Sequence, residues 1–273
     1  MKRSKIIAGL LVLALAVSVF TGCGKKEKRD ENTVKIGLTG TIYEDIWNPI
    51  AEELKKEGIK IELVQFSDFS LPNQALNSGD IDLNAFQHHA YFDSDVKSHG
   101  YDIKAIGDTF IIAMNIYSEK ISDIKDLKDG DKVAVPNDAS NEGRALKVLE
   151  SAGIIKIKES AGNNPEITDI ETYNVKINLI EANAADLCTL LPDVDAAVIN
   201  GNYALDFGID PAKDAIFTET EYADNSYFCL IAARSNEADK EVYQKIVKAF
   251  QSESTKKIFK EEFKGFFVPA WEQ

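Results

Sequence analysis

The chain has 273 residues, with 45 acidic side chains against 31 basic ones and a formal charge of −14 at pH 7. Such an excess of negative charge repels nucleic acid and anionic lipid headgroups, so both are excluded as binding partners. With 44% hydrophobic residues, a chain of this length can form one large or two medium-sized domains.

The first 22 residues have the pattern of a secretory signal peptide. Basic residues precede an apolar run over residues 6–20, which is too short to span a bilayer by itself. Small residues stand directly before Cys23, as in a bacterial lipobox, and this likeness implies cleavage there and a lipid on the cysteine sulfur. We therefore predict a signal peptide over residues 1–22 and a charged linker over residues 23–32, which would tether the protein to the extracytoplasmic face of a cell membrane.

The chain after the linker begins with a predicted strand, helix and strand. Apolar residues alternate over residues 33–38 and again over 59–66, whereas 46–57 has the periodicity of an amphipathic helix. Asp45 is placed to cap the start of this helix, and Gly58 is placed to end it. Elements in this order and at this spacing predict a right-handed parallel unit.

The stretch GDIDLNAFQHHAYFD, residues 79–93, places several rings at the end of a predicted strand. A turn signal precedes alternating residues at 81–85, and a helix could begin soon after them. The rings that follow are Phe86, His88, His89 and Tyr91. Ligands of open α/β sheets bind beyond the carboxyl ends of the strands, so these groups could wall an apolar small-molecule pocket. The same aromatic rings would also suit a buried core.

The remaining chain predicts a second α/β series and then a return strand. Residues 103–117 are too long for one ordinary strand and indicate a strand followed by a crossover. Further strands are predicted over 132–135, 175–180, 195–199 and 227–233, and further helices over 139–152, 184–191, 202–207, 240–250 and 255–263, with a polar loop or short helix at 158–171. Two α/β series and a return strand predict an α/β fold with two lobes and a cleft between them.

The start of the helix predicted over residues 139–152 has the features of an anion site. Unpaired backbone N–H groups and the positive end of the helix dipole favour negative charge, and Arg144 one turn in can hold a carboxylate through two parallel hydrogen bonds. An amino-acid carboxylate is the natural guest. Asn200, after a predicted strand, offers a donor and an acceptor to the ligand's amino or carboxylate group. Capping roles for Asn141 and Asn200, with Arg144 on the surface, are the structural alternatives.

Four sequence runs together resemble a known family. They are LNAFQHHAYFD, VAVPNDASNEGRAL, DVDAAVINGNYALDFGIDPAKDAIF and LIAARSN. In order and spacing they are similar to the NlpA family of methionine-binding lipoproteins of ABC importers, and the resemblance extends from Val34 to Trp271.

The resemblance implies a type II periplasmic-binding-protein fold that closes around an amino acid and delivers it to an ABC permease with its ATPase. It implies crossing segments between the lobes near residues 117–121 and 217–227. Lobe 1 is then expected at residues 33–117 plus 228–273, and lobe 2 at residues 118–227. We predict methionine, a related amino acid or a dipeptide as the ligand, and no cofactor.

The resemblance also implies a role for each candidate site residue. Phe86, His88 or His89, and Tyr91 would hold the ligand's side chain. Arg144 would bind its carboxylate and Asn200 its polar head, and Asn141 would support the arginine. Phe69 stands where the family usually has tyrosine, and Cys229 stands where it has an asparagine that bonds the ligand. Losing one such bond costs about 1–3 kcal/mol, so methionine would bind about 10–100 times more weakly, or the ligand would differ.

Three other functions are set against this prediction. A metal-binding lipoprotein would need three or four converging ligands, but the sequence has three histidines and two of them, His88 and His89, are adjacent and splayed. We predict no metal site. An enzyme would need a nucleophile motif, which is not recognisable, and a purely structural lipoprotein would not need the aromatic and polar residues gathered at strand ends.

Whether Cys188 and Cys229 form a disulfide is left open by the sequence.

Overall fold

The computed structural model describes residues 32–220, 222 and 224–273. The predicted signal peptide, Cys23 and all but the last residue of the predicted linker lie outside the described residues. Within the described ranges, no helix is both long enough and apolar enough to cross a membrane.

The described chain alternates between strands and helices. The strands are β1 (Thr33–Thr39), β2 (Lys60–Phe66), β3 (Leu83–Asn84), β4 (Ile103–Asp108), β5 (Phe110–Ile112), β6 (Met114–Tyr117), β7 (Lys132–Pro136), β8 (Ile155–Ile157), β9 (Ile170–Tyr173), β10 (Asn178–Ala182), β11 (Ala196–Asn200), β12 (Ala215–Phe217), β13 (Leu230–Arg234) and β14 (Phe267–Pro269). The α-helices are α1 (Ile42–Lys56), α2 (Pro72–Ser78), α3 (His89–His99), α4 (Ala139–Ser151), α5 (Leu187–Leu190), α6 (Gly201–Asp206), α7 (Pro211–Asp214), α8 (Glu241–Phe250) and α9 (Glu253–Glu261).

Two five-stranded sheets organise these elements into two lobes. The sheet of lobe 1 has the strand order β2-β1-β3-β13-β4, and the sheet of lobe 2 has the order β10-β7-β11-β6-β12. In lobe 1, β1 is parallel to β2 and β3, whereas β13 is antiparallel to β3 and β4. In lobe 2, β7 is parallel to β10 and β11, whereas β6 is antiparallel to β11 and β12. The predicted two-lobed α/β fold is confirmed.

Both faces of each sheet are covered by helices. In β13, Ile231 and Ala233 belong to the core that includes α1, α8 and α9, whereas Leu230 and Ala232 belong to the core with α2 and α3. Strand β11 divides in the same way between a core with α4 and a core with α5 and α6. Because successive side chains of a strand point to opposite faces, strands covered on both sides read as continuous apolar runs.

The two lobes are connected by crossing segments, and the first lies earlier than predicted. Strand β6 was expected to end lobe 1, but it pairs with β11 and β12 in the sheet of lobe 2. The first crossing is therefore at residues 109–113, around β5, and not at 117–121. The chain returns between β12 and β13, through residues 218–229, of which 221 and 223 are not described.

Several local predictions need correction. Helix α1 begins at Ile42, after Thr41, and not after Asp45. The predicted loop at residues 158–171 contains part of β9, which pairs with β8. The predicted helix at 184–191 is a short α-helix flanked by turns of 3-10 helix. Strand β14, which pairs with β5, was not predicted.

We expect Phe110→Ala to lower the free energy of unfolding by about 3–5 kcal/mol, because it removes a large buried ring from a packed core. Phe110 is 2% exposed and lies against Phe250, Phe259 and Phe267, at 4.8 Å between ring centroids for Phe267. Urea unfolding followed by tryptophan fluorescence measures the loss. Phe207→Ala is the control, since that ring is 56% exposed and its removal should change stability by no more than about 0.5 kcal/mol. Equal effects of the two substitutions would contradict this view of the core.

Candidate functional site

A cavity lies between the two lobes, beyond the carboxyl ends of β1, β3 and β11. The space between the lining atoms, including some open solvent at its mouth, is about 380 Å³. The lining residues from lobe 1 and the two crossing segments are Tyr43, Phe69, Phe86, Gln87, His88, Tyr91, Ile112 and Cys229. The lining residues from lobe 2 are Asn141, Arg144, Asn200, Gly201 and Asn202. Eight of the nine predicted ligand-binding residues thus line one cavity; their contacts with a ligand stay predictions.

His89 is the predicted residue that does not line the cavity. Its Nε2 lies 2.7 Å from Oδ1 of Asp108, and this hydrogen bond raises the pKa of the imidazole. Of the two adjacent histidines that the sequence could not tell apart, His88 is the one at the cavity.

Aromatic rings form one wall of the cavity. The centroids of Phe69, Phe86 and Tyr91 lie 5.8–6.0 Å apart, and Tyr203 of lobe 2 lies 4.9 Å from Phe69. The hydroxyl of Tyr91 donates to the carbonyl of Phe69 at 2.9 Å, so the polar tip of this ring is satisfied away from the apolar space. The wall suits an uncharged ligand side chain.

Arg144 is buried and held by the carboxylate of Glu219. Nε donates to Oε1 at 2.9 Å, Nη2 donates to Oε2 at 2.6 Å, and Nη2 also donates to the carbonyl of Ile112 at 2.8 Å. Burial disfavours the charge, but Glu219 outweighs it and raises the pKa of the guanidinium, which also lies over the ring of Tyr227 at 4.5 Å. Glu219 therefore occupies the bidentate edge that was predicted to hold a ligand carboxylate. Nη1 makes no hydrogen bond to a described residue, so it is the donor that remains.

Asn141 does not support the arginine as predicted but connects the two lobes. Its Nδ2 donates to the carboxylate of Asp138, 3.0 Å away, which also caps α4. Its Oδ1 accepts from Nδ2 of Asn200 at 2.7 Å and lies 3.3 Å from Nε2 of His88. Since Nδ1 of His88 accepts from the N–H of Tyr91, Nε2 of His88 is the protonated nitrogen, by assignment from this network.

Two polar atoms near the cavity have no partner in the described residues. Oδ1 of Asn200 and the hydroxyl of Tyr203 are buried and make no hydrogen bond there. A buried acceptor without a donor costs about 1–3 kcal/mol, and Oδ1 of Asn200 is such an acceptor on a residue that lines the cavity.

Cys229 contributes a neutral thiol to the cavity wall. Burial raises the pKa of this thiol to about 12, and the backbone of Cys229 is fixed by two hydrogen bonds of 2.7 Å, with Phe110 and Thr109. Cys188 lies in the core of lobe 2, and both cysteines are free, which answers the question that the sequence left open.

Five further lining residues were not predicted from the sequence: Tyr43, Gln87, Ile112, Gly201 and Asn202. A signal was present for Tyr43 and Asn202, because both follow strands of the two sheets at their carboxyl ends. Gly201 has a steric reason, since a Cβ at this position would lie 2.6 Å from the carbonyl oxygen of Ala113 in the first crossing segment.

Known proteins with similar sequences and structures bind methionine according to their names. The D-methionine-binding lipoprotein MetQ of Salmonella typhimurium is 40% identical over 267 residues, which cover 96% of each chain. A nutrient-binding protein from Burkholderia cenocepacia, solved bound to methionine, has a TM-score of 0.82 and 44% identity, and the match covers 86% of this chain and 99% of that one. The crystal structure of the methionine-binding protein MetQ has a TM-score of 0.83 and 38% identity, with coverage of 89% and 99%.

Two α/β lobes that close on a cavity of this kind define a solute-binding protein of the periplasmic-binding type. The sequence profile of the NlpA lipoproteins matches residues 34–271. The chain therefore belongs to the NlpA lipoprotein family, and the resemblance seen in the sequence is confirmed.

We expect His88 and His89 to respond to pH in opposite ways. Burial, with a smaller contribution from Arg144, lowers the pKa of His88 from 6.5 to about 3, so the unfolded chain binds a proton there that the folded one refuses. The contribution of His88 to the free energy of unfolding is fully present above pH 6.5 and decreases as the pH drops from 6.5 towards 3. At pH 5 the decrease is about 2 kcal/mol. The raised pKa of His89 acts in the reverse sense: its contribution is present below pH 6.5 and is lost as the pH rises through the folded-state pKa.

Urea unfolding between pH 8 and pH 5, with NMR titration of the imidazoles, checks this expectation. Compared with the unmodified protein, His88→Gln should lose less stability on acidification and His89→Gln should lose more. An imidazole resonance of His88 that titrates near pH 6.5 would contradict the buried, neutral state.

Proposed function

We propose that this chain is the extracytoplasmic, lipid-anchored substrate-binding protein of an ABC importer, and that it binds methionine or a related amino acid between its lobes. The observation that carries the proposal is the polarity of the cavity, which has a buried cation and an unpartnered acceptor at one end and aromatic rings at the other. The methionine-binding names of relatives that match nearly the whole chain support it.

The polar end of the cavity offers one site for each charge of an α-amino acid. Nη1 of Arg144 is the donor for the carboxylate, and Oδ1 of Asn200 is the acceptor for the ammonium group. The hydroxyl of Tyr43, which makes no hydrogen bond within the described ranges, is a further donor for the carboxylate. A ligand with only one of these charges would leave a buried polar group unsatisfied.

The apolar end suits an unbranched side chain such as that of methionine. Phe69, Phe86 and Tyr91 surround it, and a thioether gains from contact with aromatic rings by about 0.3–1.5 kcal/mol. The neutral imidazole of His88 adds no charge to this end.

The proposed mechanism is capture followed by hinge closure. The lobes would open about the two crossing segments, admit the ligand, and close over it, and the closed form would dock on the permease, whose ATPase supplies the work. The lipid on Cys23 would keep the receptor at the membrane. In this proposal the protein is a receptor and not an enzyme, and lobe 2 comprises the chain from β6 to β12.

Cys229 favours a second candidate, a receptor for a different amino acid or a short peptide. The thiol lines the cavity, and with a pKa of about 12 it is a neutral and weak hydrogen-bonding group. A ligand that needs no hydrogen bond at this point would suit the wall better than methionine would.

Native mass spectrometry and calorimetry test the proposal on the full chain purified in detergent. After denaturation and refolding to remove a bound ligand, the protein is titrated with both enantiomers of methionine and a panel of amino acids and dipeptides. Co-purified methionine or saturable methionine binding supports the proposal. Binding of another amino acid or a dipeptide establishes the second candidate, and binding of none in the panel contradicts both.

We expect Arg144→Lys to weaken amino-acid binding by at least about tenfold, because an ammonium group cannot serve Glu219 and the ligand carboxylate with the same planar geometry. Lysine keeps the charge that Glu219 requires. Arg234→Lys is the matched control, since Arg234 bonds the carbonyls of Leu76 and Ile81 within lobe 1. Its affinity should match that of the unmodified protein in calorimetry, and an unchanged affinity of the Arg144 variant would remove the carboxylate assignment.

We expect Cys229→Asn to strengthen methionine binding by about 10–100-fold, because an amide at this wall can form the hydrogen bond to the ligand that the asparagine of the NlpA pattern is expected to form. Cys229→Ala is the control for size and should bind methionine like the unmodified protein. Weaker methionine binding by the asparagine variant would favour the second candidate, in which the thiol is part of the specificity.

A further inference from the structure

Helix α1 of lobe 1 is capped by a residue of lobe 2. Its N-cap residue, Thr41, makes no capping hydrogen bond with its own side chain. Instead, Oδ1 of Asp206 accepts from the N–H of Ile42 at 2.7 Å and from the hydroxyl of Thr41 at 2.8 Å. A carboxylate at this position satisfies an otherwise unpaired N–H group and lies at the positive end of the helix dipole.

The backbone before α1 is adapted to this contact. Gly40 has a φ of 116°, which side-chain-bearing residues rarely adopt, and a Cβ there would lie 2.5 Å from Oδ2 of Asp206. Glycine therefore provides both the turn between β1 and α1 and the space for the carboxylate of the other lobe.

Asp206 is joined to the ligand cavity by a single short helix. Helix α6 begins directly after Asn200, carries Asn202 in its first turn and ends at Asp206. Both asparagines line the cavity, and Nδ2 of Asn202 donates across the cleft to the carbonyl of Thr39 at 3.1 Å. One short helix therefore carries both interlobe contacts and part of the cavity wall.

We propose that Asp206 is a positioning residue that holds the lobes closed by capping α1 across the cleft, and so prolongs the residence of the bound ligand. The expected effect on the residence time of the ligand rests on the proposed function. Opening the lobes breaks both hydrogen bonds and leaves the first turn of α1 to water, so the carboxylate favours the closed form alone. The loss of such a cap shifts the equilibrium by about three- to tenfold.

The test compares Asp206→Ala, Asp206→Asn and Thr41→Val in the full chain in detergent. Methionine dissociation, followed by stopped-flow tryptophan fluorescence, should be about three- to tenfold faster in Asp206→Ala, with the association rate unchanged. Asp206→Asn keeps an acceptor, and Thr41→Val removes one of the two bonds, so both should have smaller effects. Asp193→Ala is the control, since it removes an exposed carboxylate of the same lobe that makes no hydrogen bond in the described chain.

Thermal unfolding separates positioning from a merely structural role. The melting temperature of the methionine-loaded protein should fall with Asp206→Ala, and that of the ligand-free protein should fall by less, because only closed molecules lose the two hydrogen bonds. Unchanged dissociation, or an equal loss of stability in the two forms, would overturn the proposal.

A second measurement judges the capping contact without a ligand. Spin labels placed by Glu53→Cys in lobe 1 and Lys125→Cys in lobe 2 report the distribution of distances between the lobes. Adding Asp206→Ala should lower the closed population about three- to tenfold. If the unmodified protein bound no amino acid, the proposed function would fail, but a fall in the closed population would still support the interlobe contact of Asp206. An unchanged distribution of distances would overturn the proposal that Asp206 holds the lobes closed.

Discussion

The buried ion pair of Arg144 and Glu219 is the constraint on which the rest of the site depends. The carboxylate of Glu219 takes two N–H groups of Arg144 and the backbone N–H of Met114, and the backbone N–H of Glu219 donates to Oδ1 of Asn115. Together with the bond from Nη2 of Arg144 to the carbonyl of Ile112, they join α4 and β6 of lobe 2 to both crossing segments. Removing one partner of a buried pair costs about 3–5 kcal/mol because the other charge is left without compensation. The cation at the cavity is thus fixed by the same residues that connect the lobes.

A second network, of amides, an imidazole and the carboxylate of Asp138, completes the closed cavity. Asp138 orients the amide of Asn141, whose oxygen then faces Nε2 of His88 from lobe 1 and Nδ2 of Asn200 from lobe 2. Because His88 is neutral, it can accept the N–H of Tyr91 at one nitrogen and donate at the other. Asp138, Asn141 and Asn200 all belong to lobe 2, so their bonds do not depend on closure, and this reduces the loss of conformational freedom on binding. The thiol of Cys229 stands outside this network, so a change at that position alters the wall without disturbing the orientation of the others.

Much of the site could be predicted because it lies where parallel strands end. Phe86, His88 and Tyr91 follow β3, and Asn200 ends β11, so local strand patterns placed them correctly at one crevice. Glu219 could not be found in this way, since nothing local separates it from the other acidic residues of the chain. Its partner is 75 positions away, and a contact over that distance depends on the arrangement of the lobes.

The sequence by itself determined the α/β class, the two series of elements, the family and most of the cavity lining, since these follow from local periodicity and from motifs at strand ends. Tertiary structure decided where the chain crosses between the lobes, because residues 110–114 are all apolar and buried strands of either sheet have the same pattern. It also decided where α1 begins. Asp45 was a reasonable cap within the sequence, but the carboxylate that caps the helix comes from Asp206, 164 positions beyond Ile42, and reaches it only when the two lobes meet.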